Sequence, residues 1–491
     1  MTVTLDHDAI AAEALPQPAL FIGDQRITET ASGFRERMNP ATGKLLGLFP
    51  VAGAEEVDAA VKAAWKAFPA WKRLGADKRR ELLYAMAQTI RDHDDELRRI
   101  NALETGTPIS SVTFNMAIDH LQYYAGWTDK FEGELVSSYP RPAFDYVKYE
   151  PFGVVGALIT WNGPVINTCM KLAPALAAGN CVVLKSPDLG PFAMMRLTEL
   201  FLEAGLPAGV VNLLSGDRHT TQAIVNHPDV RKVSFTGGPT VAKALLELAA
   251  KSLTPMTMEL GGKSANIVFE DADLDKAVQM GAFMSTIASS GQGCLYPTRM
   301  LVHDSIYDEV VERVAAVAGS VTPGDPLDPD TVMGPVINED AVDRILGIID
   351  RAKQTPARLI AGGERLDGEL AGGCYLPPTV FADVDGDSEL EQEEVFGPVL
   401  AISRFSTEEE AITRANSTEY GLAAYLHTRD LARAHRMADE LDAGWIGVNC
   451  FPAMAASAPF GGVKQSGFGR EGGRAGIEEF VHHKNVYIPL D

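Results

Sequence analysis

Five short apolar runs between Val154 and Leu260, each separated from the next by a helical pattern, constrain this chain more than anything else in it. Val154 to Ile159, Cys181 to Leu184, Val210 to Leu214, Lys232 to Phe235 and Met256 to Leu260 each read as a buried strand. Helical patterns fill the gaps at Pro164 to Ala178 (with a kink at Pro174), Pro191 to Ala204, Thr220 to Asn226 and Thr240 to Ala250. Parallel strands need crossovers of this kind, so the alternation predicts a doubly wound α/β sheet. Such sheets take ligands beyond the carboxyl ends of their strands. The unusual residues fall there: Trp161 and Asn162, Lys185, Thr236 to Gly238, and Glu259 to Gly262.

A second α/β unit follows. Its strands are expected at Ala265 to Phe269, Arg299 to Val302, Arg358 to Ile360, near Val380, at Val399 to Ser403, and ending at Gly447 to Asn449. Its helices are expected at Asp273 to Ala288, Ile306 to Ala318, Asp340 to Ala352, Glu408 to Ala415 and Leu431 to Leu441. A glycine-rich loop, Pro459 to Glu471, closes it. Ahead of the first sheet, residues 1 to about 20 read as a loose arm. Helices follow at Glu55 to Phe68, from an Asp77 cap through Leu103 to Gly106, and at Ile109 to Phe131, where Tyr123, Tyr124 and Trp127 read as helix packing. Two strands, Phe144 to Tyr149 and Asn485 to Ile488, have nothing near them in sequence to pair with. They read as an extension that pairs across subunits.

A chain of 491 residues holds roughly two to four domains. With 46% apolar and 22% charged residues it reads as a soluble globular protein. A net charge of -23 repels polyphosphate backbones and anionic bilayers, so neither nucleic acid nor membrane is expected as a partner. Local lysines and helix N-termini could still receive an anionic cofactor. Five scattered cysteines argue against a disulfide framework and for a reducing compartment, and no spacing suggests a metal site. No signal peptide and no membrane span are read, so a cytoplasmic location is expected.

The chemistry gathers around Ser289-Ser290-Gly291-Gln292-Gly293-Cys294. Small residues and glycines leave backbone amides free there. A Cys294 thiolate could attack a carbonyl while those amides hold the oxyanion. The alternative is a cysteine that fills the core as a small hydrophobe. Gly237 and Gly238 precede a helix whose amides could bind a phosphate, although Ala242 stands where the dinucleotide-binding glycine fingerprint would need its last glycine. Lys185 ends an apolar strand, and either meets ribose or phosphate or points to solvent. Glu259 stands beside two glycines, either as a general base or lining a solvated turn. The Asn162 amide could donate to an oxyanion or serve a turn. Cys169 and Cys181 sit in apolar runs and read as inert. Cys450 lacks a glycine setting, and Cys374 reads as an exposed loop residue.

Taken together, several motifs occur in a fixed order. They are W-N (Trp161, Asn162), K-L-A-P-A-L-A-A-G-N (Lys171 to Asn180), F-T-G (Phe235 to Gly237), M-E-L-G-G-K (Met258 to Lys263), G-Q-x-C (Gly291 to Cys294), E-x-F-G-P (Glu394 to Pro398) and P-F-G-G-V-K-Q-S-G-F-G-R-E (Pro459 to Glu471). In these the chain resembles the NAD(P)-dependent aldehyde dehydrogenase superfamily, of the hydrolytic, non-acylating type, along nearly its whole length.

The resemblance implies Cys294 as the nucleophile that forms a thiohemiacetal and then a thioester. It implies Asn162 and the Cys294 amide as the oxyanion hole, Glu259 as the base for hydrolysis, and Glu471 as a proton relay. For the cofactor it implies Ile159, Thr160, Trp161, Lys185, Asp188, Gly237, Gly238, Leu260, Glu394 and Phe396. Asp188 stands where NAD-preferring members often carry glutamate, so NAD is expected, with NADP as the alternative.

By the same analogy the substrate channel comprises Met116, Gly163, Asn167, Met170, Ala288, Met454 and Phe460, with no arginine to hold a carboxylate. An apolar aldehyde, aromatic or terpenoid, is expected, ahead of a semialdehyde or an aminoaldehyde such as betaine aldehyde. A non-catalytic cofactor-binding relative is the remaining reading. The implied architecture is two doubly wound Rossmann-like α/β domains plus a β-strand bridging extension that builds a homo-oligomer, dimer or tetramer. Residues 1–128 and 150–258 form the NAD-binding domain, 259–449 the catalytic domain, 129–149 and 475–491 the bridging strands, and 450–474 the loop returning to the active site.

Overall fold

The computed structural model describes residues 5–137, 139–451 and 454–490. Residues 1–4 of the arm, 138 and 491 of the bridging segments, and 452 and 453 of the return loop lie outside the described residues. The first sheet has eight strands. In spatial order they are Gln25–Ile27, Leu20–Ile22, Val211–Leu214, Cys181–Lys185, Val154–Leu158, Lys232–Thr236, Met256–Glu259 and Gly467–Phe468. The five central strands are parallel. Taken in chain order they lie third, second, first, fourth, fifth, so the winding reverses between Val154–Leu158 and Lys232–Thr236. A crevice opens at such a reversal. Val154–Leu158 and Cys181–Lys185 are buried at every position, as befits strands covered on both faces. The helices Pro164–Ala177, Pro191–Glu203 and Pro239–Ala249 each begin with proline after a capping glycine. Proline suits that position, because its fixed φ is already helical and its missing N–H would have had no partner.

The second sheet runs Arg358–Ala361, Thr379–Ala382, Val399–Phe405, Arg299–His303, Ala265–Val268, Ala423–His427, Trp445–Val448. All its pairings are parallel except that of the first two strands. Alternate residues feed separate cores on its two faces, with Val268, Met300 and Leu400 in one and Ile267 and Leu301 in the other. The loop Pro459 to Glu471 is stitched to both sheets' surroundings. Gly467–Phe468 pairs with the strand Met256–Glu259, and Val463–Lys464 pairs with Tyr420–Gly421.

The structure corrects several expectations. The arm is not loose, because Asp6 caps a helix at His7–Ala14 and His7 is buried, bonded to Asp325 and Asn39. The helix from Asp77 is two helices, Ala76–Asp92 and Asp94–Thr105, broken at His93. The acidic run Asp94, Asp95, Glu96 favours a fresh N-terminus over a continuing helix interior. The Ile109 to Phe131 helix shrinks to Asn115–Ala125, with turns before it and Gly126 at its end. The helix from Asp273 is α-helical only over Leu274–Ala282, then widens into a π turn at Phe283–Ile287 and tightens at Ala288–Gly291. Cys374 is buried, and its amide donates to the Pro40 carbonyl. The two isolated strands find each other inside the chain. Ala143–Pro151 and Val481–Pro489 pair antiparallel over their full length, and Glu134–Val136 adds a third strand.

Candidate active site

The carboxyl ends of the first sheet's strands face the segment that carries Cys294. Three successive residues there, Ser289 (φ 44), Ser290 (φ 53) and Gly291 (φ 72), are left-handed, a conformation non-glycine residues hold only when their surroundings enforce it. The enforcing contacts are visible. Ser290 Oγ donates to the Gly334 carbonyl at 2.7 Å, and Gln292 Nε2 donates to the Ser289 carbonyl at 3.1 Å. Gln292 Oε1 accepts from the Ile337 amide at 2.9 Å. A Cβ on Gly291 would overlap the Gly397 carbonyl.

Asn162 lies just past the first strand and donates from Nδ2 to the Gln292 carbonyl at 3.1 Å, two residues before Cys294. Its Oδ1 is buried without a partner among the described residues. Glu259 ends the last parallel strand and is buried, with Oε1 unpaired among the described residues. Burial, and then the nearby Glu471 carboxylate, push its carboxyl well above the usual range, while Lys171 and Arg470 act the other way. Burial pushes the Cys294 thiol up to about 12, helped by the charges of Glu394 and Glu259, while its own amide and that of Leu295 oppose the shift. Glu471 forms a buried ion pair with Lys171, whose Nζ also reaches Ser234 Oγ at 3.0 Å.

These groups open onto one cavity of about 370 Å³. Asn162, Glu259, Cys294 and Glu471 all line it. So do Met116, Gly163, Asn167, Met170, Met454 and Phe460. Ala288 does not. Met284 lines it instead, because the π turn shifts the register that a continuous α-helix would have kept. Sequence reasoning also missed Ile166, Leu295 and Tyr296. Ile166 was within reach, since it shares a helix face with Met170, four positions on. Lys171 stands out in the sequence only within a motif, though a lysine inside so apolar a helix is itself a signal.

A second group gathers around Glu394 and Lys185. Glu394 Oε1 accepts from the Gly262 amide at 3.0 Å. Burial pushes its carboxyl up to about 7, against that amide and Lys263. Phe396 (φ 45) meets Trp161 edge to face at 5.5 Å. Ile159 and Leu260 are buried and Thr160 is half-buried. Gly237 donates its amide to the Glu259 carbonyl, and Gly238 faces open space at the start of the helix Pro239–Ala249. Lys185 does not point into solvent. It is buried and paired with Asp188, which also accepts from Arg35 at 3.1 Å. No group of side chains among the described residues could hold a metal ion, and no described helix is long and apolar enough to cross a membrane.

Comparison with known proteins places this geometry. A family model described as "Aldehyde dehydrogenase family" matches residues 27–486. PnpE from Pseudomonas sp. WBC-3 is 39% identical, with 97% of this chain and 98% of that one covered at a TM-score of 0.94. An aldehyde dehydrogenase from Bacillus cereus, solved with NAD+, is 36% identical over 100% of both chains at a TM-score of 0.95. A betaine aldehyde dehydrogenase from Staphylococcus aureus, also solved with NAD+, is 33% identical over 99% and 98% of the two chains at 0.95.

Proposed function

The chain belongs to the aldehyde dehydrogenase family, and from that premise we propose that it oxidises an apolar aldehyde to the free carboxylic acid with NAD. The observation that carries the reading is the convergence of Cys294, Asn162 and Glu259 on one cavity, beside a second group of residues suited to a dinucleotide. The fit to NAD rests on the crevice at the winding reversal, on the open helix N-terminus at Gly238, and on two carboxylate-bearing ends, Lys185 with Asp188 and Glu394. NAD supplies the hydride acceptor.

The chain's own residues do the rest. Cys294 Sγ gives up its proton to solvent and attacks the aldehyde carbon, and the C=O π pair moves onto the oxygen. The oxyanion is held by the Cys294 amide and Asn162 Nδ2, which turns from the Gln292 carbonyl. Loss of hydride from the bound carbon leaves a Cys294 thioester. Glu259, once ionised, takes a proton from the water that attacks this thioester. The acid leaves and Sγ is reprotonated. Glu471 and its Lys171 partner carry the spare proton away. The aldehyde's apolar character is inferred from Met116, Met170, Met284, Leu295 and Phe460, and no arginine or lysine is among the described lining residues.

The test is NADH formation by purified protein with aromatic, terpenoid, aliphatic, semialdehyde and betaine aldehyde substrates, run beside Cys294→Ala. Turnover on aromatic or terpenoid aldehydes that is lost in Cys294→Ala supports the reading. Preference for betaine aldehyde or a charged semialdehyde would move the substrate to that class while keeping the mechanism.

A further inference from the structure

Arg35 lies in the strand Phe34–Met38, outside both main sheets, and the reaction above gives it nothing to do. Its guanidinium nonetheless lies 3.1 Å from Asp188 Oδ2 and 3.9 Å from Asp217 Oδ2. Asp188 offers its other oxygen to Lys185. Asp217 is held by the His219 amide at 2.8 Å as the cap of the helix Arg218–Asn226. Three segments therefore bring four charged side chains together beyond the carboxyl ends of two central strands of the first sheet, Cys181–Lys185 and Val211–Leu214.

The charges matter because of what Asp188 does alone. A carboxylate at this position accepts from a ribose 2′-hydroxyl and repels a 2′-phosphate. Paired only with the buried Lys185, Asp188 would leave the cluster negative through Asp217. Arg35 cancels that charge. It also sits on the solvent side, with a side chain 45% exposed against 10% for Lys185. Its one hydrogen bond among the described residues runs from a single terminal nitrogen to Asp188, which leaves most of the planar donor fork free. A guanidinium so placed can turn from the carboxylate to a phosphate at little cost, since an exposed ion pair adds little stability.

We propose that Arg35 is a cofactor-specificity residue, which lets this site accept a 2′-phosphorylated adenosine, and so NADP, alongside NAD. The proposal rests on the reading of Lys185 and Asp188 as the adenosine-ribose site. A charge-assisted contact of this kind corresponds to about 10- to 100-fold in affinity.

Calorimetric titration of the purified protein tests it, with NAD, NADP, ADP and adenosine 2′,5′-bisphosphate as ligands. The wild type should bind both cofactors. In Arg35→Ala, the affinity ratio of NADP to NAD, and of the bisphosphate to ADP, should fall about 10- to 100-fold. Arg35→Glu should lower both ratios further, and Asp188→Ser should raise them. Equal weakening of all four ligands in Arg35→Ala would reduce Arg35 to a support for its strand and overturn the proposal. Unchanged ratios would overturn it as well. NAD binding without any NADP binding in the wild type would sink this inference alone, whereas failure to bind either cofactor would sink the adenosine-site reading with it.

Discussion

Among the described residues Glu259 has no hydrogen-bond partner for Oε1, and it is buried beside a second carboxylate, Glu471. Both conditions favour its protonated form. As a base it must first lose that proton, so the rate of thioester hydrolysis should rise with pH through a pKa above the ordinary carboxylate range. A steady-state kcat profile that is flat from about pH 5 upward would contradict this assignment. In Glu259→Gln, the first turnover of NADH should survive while steady turnover falls about 10²- to 10⁴-fold, as rapid-mixing kinetics would read. Glu471→Gln removes the charge that raises Glu259, so the rise should move to lower pH. At this scale the sequence was informative where a motif carried the residue. Cys294, Asn162 and Glu259 all reach one cavity. Arg35 was silent, because its importance comes from Asp188, a residue far along the chain, and no local pattern marks such a contact.

Gly261 and Gly262 form the turn between the two sheets, and each serves a different neighbour. A Cβ on Gly261 would overlap the Glu394 carboxylate, and one on Gly262 would overlap the Cys294 carbonyl. The first obstacle is the end of a flexible side chain and can move, whereas the second is backbone. Gly261→Ala should therefore displace Glu394 and weaken NAD binding with the melting temperature nearly intact. Gly262→Ala should shift the Cys294 peptide, lowering kcat about 10-fold or more and stability by about 1–3 kcal/mol, read by kinetics and thermal unfolding. Equal effects of the two substitutions would contradict this division. The alternating strands and helices were legible because apolar period and Gly-Pro boundaries mark them locally. The π turn was not. Phe283 to Ile287 carries an ordinary helical pattern, and Thr286 Oγ1 bonding back to the Ala282 carbonyl shows how side chains reshape such a turn.

Across the whole molecule, the three-stranded sheet of Glu134–Val136, Ala143–Pro151 and Val481–Pro489 leaves Leu135 (74% exposed), Phe144 and Ile488 facing water. Open strand edges and exposed apolar side chains together favour association with another copy. Sedimentation should find a dimer or tetramer, and Leu135→Lys with Ile488→Lys should shift it toward monomer. A wild-type monomer at micromolar concentration would contradict the bridging role. The partnership of these strands was not legible from local sequence, since Lys484 and Glu150, bonded across the pair, stand 334 positions apart. The loop Pro459 to Glu471 acts over a comparable range. Ser466 alone accepts from the Gly421 amide at 2.9 Å, donates to the Gly261 carbonyl at 2.7 Å, and accepts at its own carbonyl from Leu260 at 3.0 Å. In mechanical terms this loop is a lacing drawn through both halves of the crevice. A hinge opening wide enough to part the sheets would have to unlace it first. Ligands therefore come and go past moving side chains at the cavity mouth, and the slowest backbone amides to exchange with solvent should include those of Leu260 and Gly421, which donate to Ser466.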